Sequence, residues 1–103
     1  MKEAKYFLGQ IVHHKLFNYR GVIYDVDFEF RGGEEWYEKV ARSRPAKNQP
    51  WYHVLVDNAS HQTYVAECNL MVSQNKQRIH NPMVEYYFDD FDNGVYSLHV
   101  MKN

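Results

Sequence analysis

The chain has 103 residues, of which 45% are hydrophobic and 17% aromatic, and a net charge of −1. That length suits one domain with one modest core, and rings this abundant, nine of them tyrosines, exclude disorder throughout. No run approaches the roughly 20 apolar residues of a membrane helix, and near-neutral charge gives no whole-molecule pull toward nucleic acid.

The opening Met1 to Lys5 lacks the apolar core of a signal peptide, so the expected location is cytoplasmic, with no membrane partner. The lone Cys68 cannot form an internal disulfide, fits a reducing compartment, and reads as a small core residue.

In chain order, Gly9 precedes a short strand that runs to His14. From Gly21, strict alternation places Val22, Tyr24, Val26, Phe28 and Phe30 on one face and Asp25, Asp27 and Glu29 on the other, which predicts a half-buried strand. Gly32-Gly33 breaks it. Glu34 to Arg42 suits a short helix, with Glu35/Lys39 and Glu38/Arg42 four residues apart and Pro45 ending it. Trp51 to Val56 is apolar on both faces, as a covered central strand is. A turn over Asp57 to Ser60 and a returning strand from Gln62 to Glu67 follow. Asn81-Pro82 reads as a helix start, and Met83, Val84, Tyr87, Phe88 and Phe91 recur at helical steps until Gly94. A last strand spans Val95 to Val100. The sum is a mainly β fold, a small, partly open barrel with one or two short inserted helices, in a single domain over 1–103.

Six histidines are scattered without metal-ligand spacing, so no metal and no cofactor is expected. Asp25, Asp27 and Glu29 read as a solvated strand face, no serine sits in a nucleophile elbow, and no glycine-rich phosphate loop is present; the protein is not expected to be an enzyme. Two surfaces remain. Lys39, Arg42, Arg44 and Lys47 form a run of four cations without an acid, suited to phosphate contacts and somewhat better to a solvated helix C-terminus, where cations complement the dipole. Lys15 and Arg20 extend that patch where the fold brings their loop near it. Phe17 and Tyr19, in the same loop, offer rings to a partner protein or a base. Nine tyrosines and six phenylalanines exceed what one small core readily hides, so a homo-oligomer is expected.

Gly9 to His14, Tyr19-Arg20-Gly21-Val22-Ile23-Tyr24-Asp25-Val26-Asp27, Gln49-Pro50-Trp51-Tyr52-His53-Val54-Leu55-Val56 and Tyr64 to Leu70 together resemble the YccV-like family of hemimethylated-DNA-binding proteins, also called the heat-shock HspQ family. The resemblance runs from about Tyr6 to Tyr96. The ending from His80 to Tyr96 is longer than in the short bacterial form and is similar to the related domain of an F-box protein.

The resemblance implies an SH3-like β-barrel and two non-enzymatic activities. One is promoting the turnover of denatured or selected client proteins by an ATP-dependent protease of the Lon type under heat stress. The other is binding hemimethylated double-stranded DNA near the replication origin. The acidic balance and Asp89-Asp90-Phe91-Asp92 favour protein partners, so the first is the main expectation; the Lys39 to Lys47 run favours the second.

Overall fold

Five short strands, most of them apolar on at least one face, pair into a single antiparallel sheet in the computed structural model, which describes residues 3–41 and 43–99. They are β1 (Ile11–His14), β2 (Arg20–Asp27), β3 (Trp51–Val56), β4 (Gln62–Ala66) and β5 (Leu70–Val72), in the order β4-β3-β2-β1-β5. A separate hairpin joins β6 (Phe88–Asp92) to β7 (Val95–Leu98). Two short helices, α1 (Glu34–Val40) and α2 (Val84–Tyr87), and a 3-10 turn over Glu67–Asn69 complete the fold. The architecture is mainly β, as expected. Strand pairing among the described residues does not join β4 to β5, so the hydrogen bonds by themselves describe an open sheet. No helix of the described chain is long and apolar enough to cross a membrane.

The sheet is buried on both faces. On the inner face Val12, Ile23, Val54, Val65 and Leu70, one from each strand, form a cluster with Tyr52. On the outer face Ile11, Val22 and Leu55 meet Ile79, Phe88 and Tyr96 from the C-terminal segment, with Tyr24, Tyr87 and Phe91 packed around them. Of the rings behind the expected self-association, these are hidden within the chain, while Phe7, Phe17, Phe28 and Tyr86 are exposed.

Gly9 stitches the two layers. Its N–H donates to Ile23 O at 2.7 Å, its C=O accepts from Tyr96 N at 2.9 Å, and a Cβ there would lie 1.9 Å from Tyr96 O, so glycine alone fits. Asn81 anchors the segment's start. Its buried amide donates to Val56 O and His61 O at 2.9 and 3.1 Å, while Oδ1 accepts from Met83 N.

Several expectations are corrected. The alternation in β2 fails because a bulge between Ile23 and Asp25 shifts the pairing with β3. Val22 and Tyr24 face the outer cluster while Ile23 and Val26 face the inner one. Ile23 is therefore fully buried, and Phe28, beyond the strand's end, is 61% exposed. Asp25 and Glu29 are exposed as expected, but Asp27 is half-buried.

The expected helix from Pro82 to Phe91 is a single turn, α2, followed by the β6–β7 hairpin. Asn93 and Gly94, at φ 51° and 78°, make the two-residue turn that Asn-Gly favours. Cys68 lies exposed in the 3-10 turn and is not a core residue. Helix α1 stops at Val40, and Glu38 pairs with Arg44; Arg42 lies outside the described residues, as does Val100 of the last expected strand.

Candidate functional site

The hydrogen-bond register shows which backbone groups β4 leaves unpaired. Val56 N donates to His61 O at 3.2 Å and Glu67 N to Pro50 O at 2.9 Å, and the pairing between them is unbroken, with Val54 opposite Thr63 and Tyr52 opposite Val65. Hydrogen-bonded pairs alternate along an antiparallel ladder. His61, Thr63, Val65 and Glu67 thus turn their backbone groups toward β3, and Gln62, Tyr64 and Ala66 turn theirs to the other edge, which is open at Gln62 and Tyr64 and covered at Ala66, 1% exposed.

A cleft of about 410 Å³ follows that edge. All five β4 residues line it, although consecutive side chains of a strand point to opposite faces, so the cleft straddles the edge itself. One bank is the loop after β1, with Leu16, Phe17 and Tyr19. The other is α1 and the segment after it, with Trp36, Val40, Ala41, Ser43 and Pro45. Asn69, beneath, joins the banks by donating to Ser43 Oγ at 3.2 Å. No Asp, Glu, Lys or Arg is among the described residues that line it.

The first bank is built on His14. The ring is buried in β1, and its Nδ1 accepts from the backbone N–H of both Leu16 and Phe17, each at 3.1 Å. An acceptor Nδ1 carries no proton, so the ring is the neutral Nε2 tautomer, and burial, reinforced by the neighbouring His13, lowers its pKa. The ring also lies against Phe17 and Tyr19, at 4.8 and 5.1 Å between centroids. Tyr19 then reaches Thr63 of β4 through a 2.7 Å hydroxyl contact, and burial raises its pKa.

The second bank rests on an aromatic box. Phe30 packs within 6.0 Å of Trp36, Tyr37, Trp51 and Tyr64. Tyr64 OH donates to Asp27 Oδ2 at 2.7 Å and accepts from Arg31 N at 3.0 Å. His53 Nε2 meets the same carboxylate oxygen at 3.1 Å. Burial, and next its hydrogen bond to Asp27, raises the Tyr64 pKa, so the phenol keeps its proton. The cleft therefore presents rings, neutral polar groups and an unpaired strand edge.

Of the two surfaces expected from the sequence, the loop with Phe17 and Tyr19 is one bank of this cleft, and the described residues of the basic run lie beside the other bank without lining it. Phe17, 61% exposed, and Tyr19 line one, and Lys15 sits between lining residues with no ion-pair partner among those described. Arg20 is structural: it pairs with Asp57 at 2.9 Å and donates to the carbonyls of Asn75, Gln77 and Arg78. The basic run adjoins the other bank, but its described cations are neutralised. Lys39 pairs with Glu35, Arg44 with Glu38 and Lys47 with Glu34, at 3.0, 2.5 and 2.6 Å.

Trp36, Tyr64 and the β4 edge were not among the expected site residues. Trp36 carried a signal, a large ring on a seven-residue helix whose neighbours are mostly charged.

The fold and cleft define a small antiparallel β domain with an aromatic groove along one sheet edge. A family model described as "Hemimethylated DNA-binding protein YccV like" matches residues 4–95, and the chain belongs to that family.

Proposed function

We propose that the protein is a non-enzymatic, cytoplasmic accessory factor of the heat-shock response that holds denatured or selected client proteins and promotes their turnover by an ATP-dependent protease of the Lon type. The observation that carries this reading is the cleft, lined by the exposed Phe17 and the half-buried Tyr19, Trp36 and Tyr64 and free of described charged side chains. Unfolded chains expose the apolar segments such a surface binds. Within the same proposal the five-stranded sheet is an SH3-like barrel, supported by one inner cluster that takes a side chain from every strand.

A reconstituted proteolysis assay with a denatured client tests this. Phe17→Ala is expected to lower the stimulation of proteolysis by about fivefold or more, as removal of an exposed aromatic anchor does. Lys39→Ala with Arg44→Ala should leave it within about twofold, because exposed ion pairs contribute little. The reverse pattern overturns the reading.

The family description favours a second function, binding of hemimethylated DNA. Lys15, Lys39 and Arg44, which adjoin the banks, would supply the phosphate contacts, two of them after releasing a glutamate. On that reading the double variant weakens all duplexes alike and lowers the salt slope by about two.

A further inference from the structure

We infer that the free edge of β4 is the docking seam of the cleft, and that an extended, apolar segment of an unfolded chain, with an acidic residue beside it, pairs there as an added strand. The inference rests on the cleft being the client site and specifies how a client is held.

The backbone supplies the first argument. Gln62 and Tyr64 turn two N–H and two C=O groups outward, ~6.8 Å apart over two residues, the spacing of another strand's groups, while Ala66 keeps the register but is 1% exposed and closes that end of the seam. None of these N–H groups makes a hydrogen bond among the described residues. An extended polypeptide supplies a matching ladder, and this mode of recognition takes main-chain bonds for affinity and flanking pockets for choice of side chain. Sheet edges left free are commonly blunted by lysine, proline or a bulge. Gln-Thr-Tyr-Val-Ala has none of these, and its pairing with β3 is unshifted.

Charge supplies the second argument. Of the charged side chains adjoining the lining residues, Arg20, Lys39, Glu35 and Arg44 are ion-paired. The Glu67 carboxylate is engaged by Tyr52 OH and by the backbone N–H of Lys5, and the Lys15 ammonium has no ionic partner among the described residues. A lining without charged side chains and, among the described residues, one cation beside it that lacks an ionic partner complement an uncharged stretch followed by a carboxylate side chain. The neutral rings flanking the edge on both faces receive that stretch's alternate side chains.

Both tryptophans of the chain line the cleft, so their emission reports its occupancy. The probe is a synthetic ten-residue peptide of alternating valine and phenylalanine with aspartate at one end. It is compared with two forms N-methylated at alternate positions, offset from each other by one residue. The intact protein is used throughout.

One methylated form is expected to bind about tenfold or more weakly and the other within about twofold of the parent, since only one register faces the seam. Lys15→Glu should weaken the aspartate peptide by about threefold or more and not a lysine-ended one. A carboxymethylated, permanently unfolded protein is titrated alongside. If it shifts the emission while both methylated peptides bind like the parent, strand addition is wrong and the client reading stands. If neither it nor the parent peptide shifts the emission, both are wrong. Displacement of the peptide by a hemimethylated duplex at equal charge concentration would also overturn both.

Discussion

The outer face of the sheet and the edge of β4 are both rich in rings, and the chain treats them in opposite ways. On the outer face, Phe88, Phe91 and Tyr96 ride on a hairpin that satisfies its own backbone in β6 and β7 and is tied to the sheet through Gly9. At the edge, Phe17, Trp36 and Tyr64 surround backbone groups to which no strand has been supplied. Apolar content does not separate the two regions; backbone hydrogen bonding does. Rings delivered by a paired backbone close a core, and rings beside an unpaired one leave a seam for another chain.

The strongest test of this contrast is on the closed side. Phe88 is 5% exposed in the outer cluster, so Phe88→Ala should destabilise the fold by about 3–5 kcal/mol, through lost burial and a residual cavity. Chemical denaturation read by far-ultraviolet circular dichroism measures it. A loss of under about 1 kcal/mol would mean that the C-terminal segment is a loose cover, and the contrast would fail.

A smaller effect sharpens the comparison through pH. Burial lowers the His14 pKa in the folded chain below the ordinary 6.5, so the unfolded chain takes the proton first. The stabilisation is complete above pH 6.5 and is lost as pH falls through that value toward the lower folded one. Protonation also removes the acceptor that holds Leu16 and Phe17 N–H, so those amides should exchange faster in mild acid, and His14→Gln should abolish the dependence.

His99, on the closed side, has the opposite sign. Its hydrogen bond to Asp89, and next its bond to Glu85 O, raises its pKa. That contact is complete below pH 6.5 and weakens as pH rises past the raised value. Amide exchange that rises in acid at both ends would contradict the assignment.

How much of this was legible from sequence depends on strand parity. β1, β3, β4 and α1 lie close to where apolar runs and turn residues placed them, because their patterns are undisturbed. Bulges defeat that reading in two places. In β2 the shift after Ile23 puts Ile23 and Val26, three residues apart, on one face. In β6 the shift between Phe88 and Asp90 does the same for Phe88 and Phe91, and residues three apart on one face imitate a helix. The Asn93-Gly94 turn was the contrary signal.

The cleft was half legible. Phe17, Tyr19 and the Lys39 to Lys47 run were visible as surfaces, but their convergence on β4 is a property of the sheet order. Within the run, the Glu35–Lys39 pair was legible from its four-residue spacing, while Glu38–Arg44 and Glu34–Lys47, 6 and 13 residues apart, depend on how the chain turns after α1.

The most direct test of the central claim is residue-resolved amide exchange with and without a saturating, permanently unfolded protein. In the free protein, Gln62 and Tyr64 should exchange faster than Thr63 and Val65, whose N–H groups face β3. Adding the unfolded protein should slow the two outward amides by about tenfold or more. If their exchange is unchanged by the unfolded protein, and a hemimethylated duplex instead protects the amides around Lys39 to Lys47, the edge of β4 is not a client site and the account is wrong.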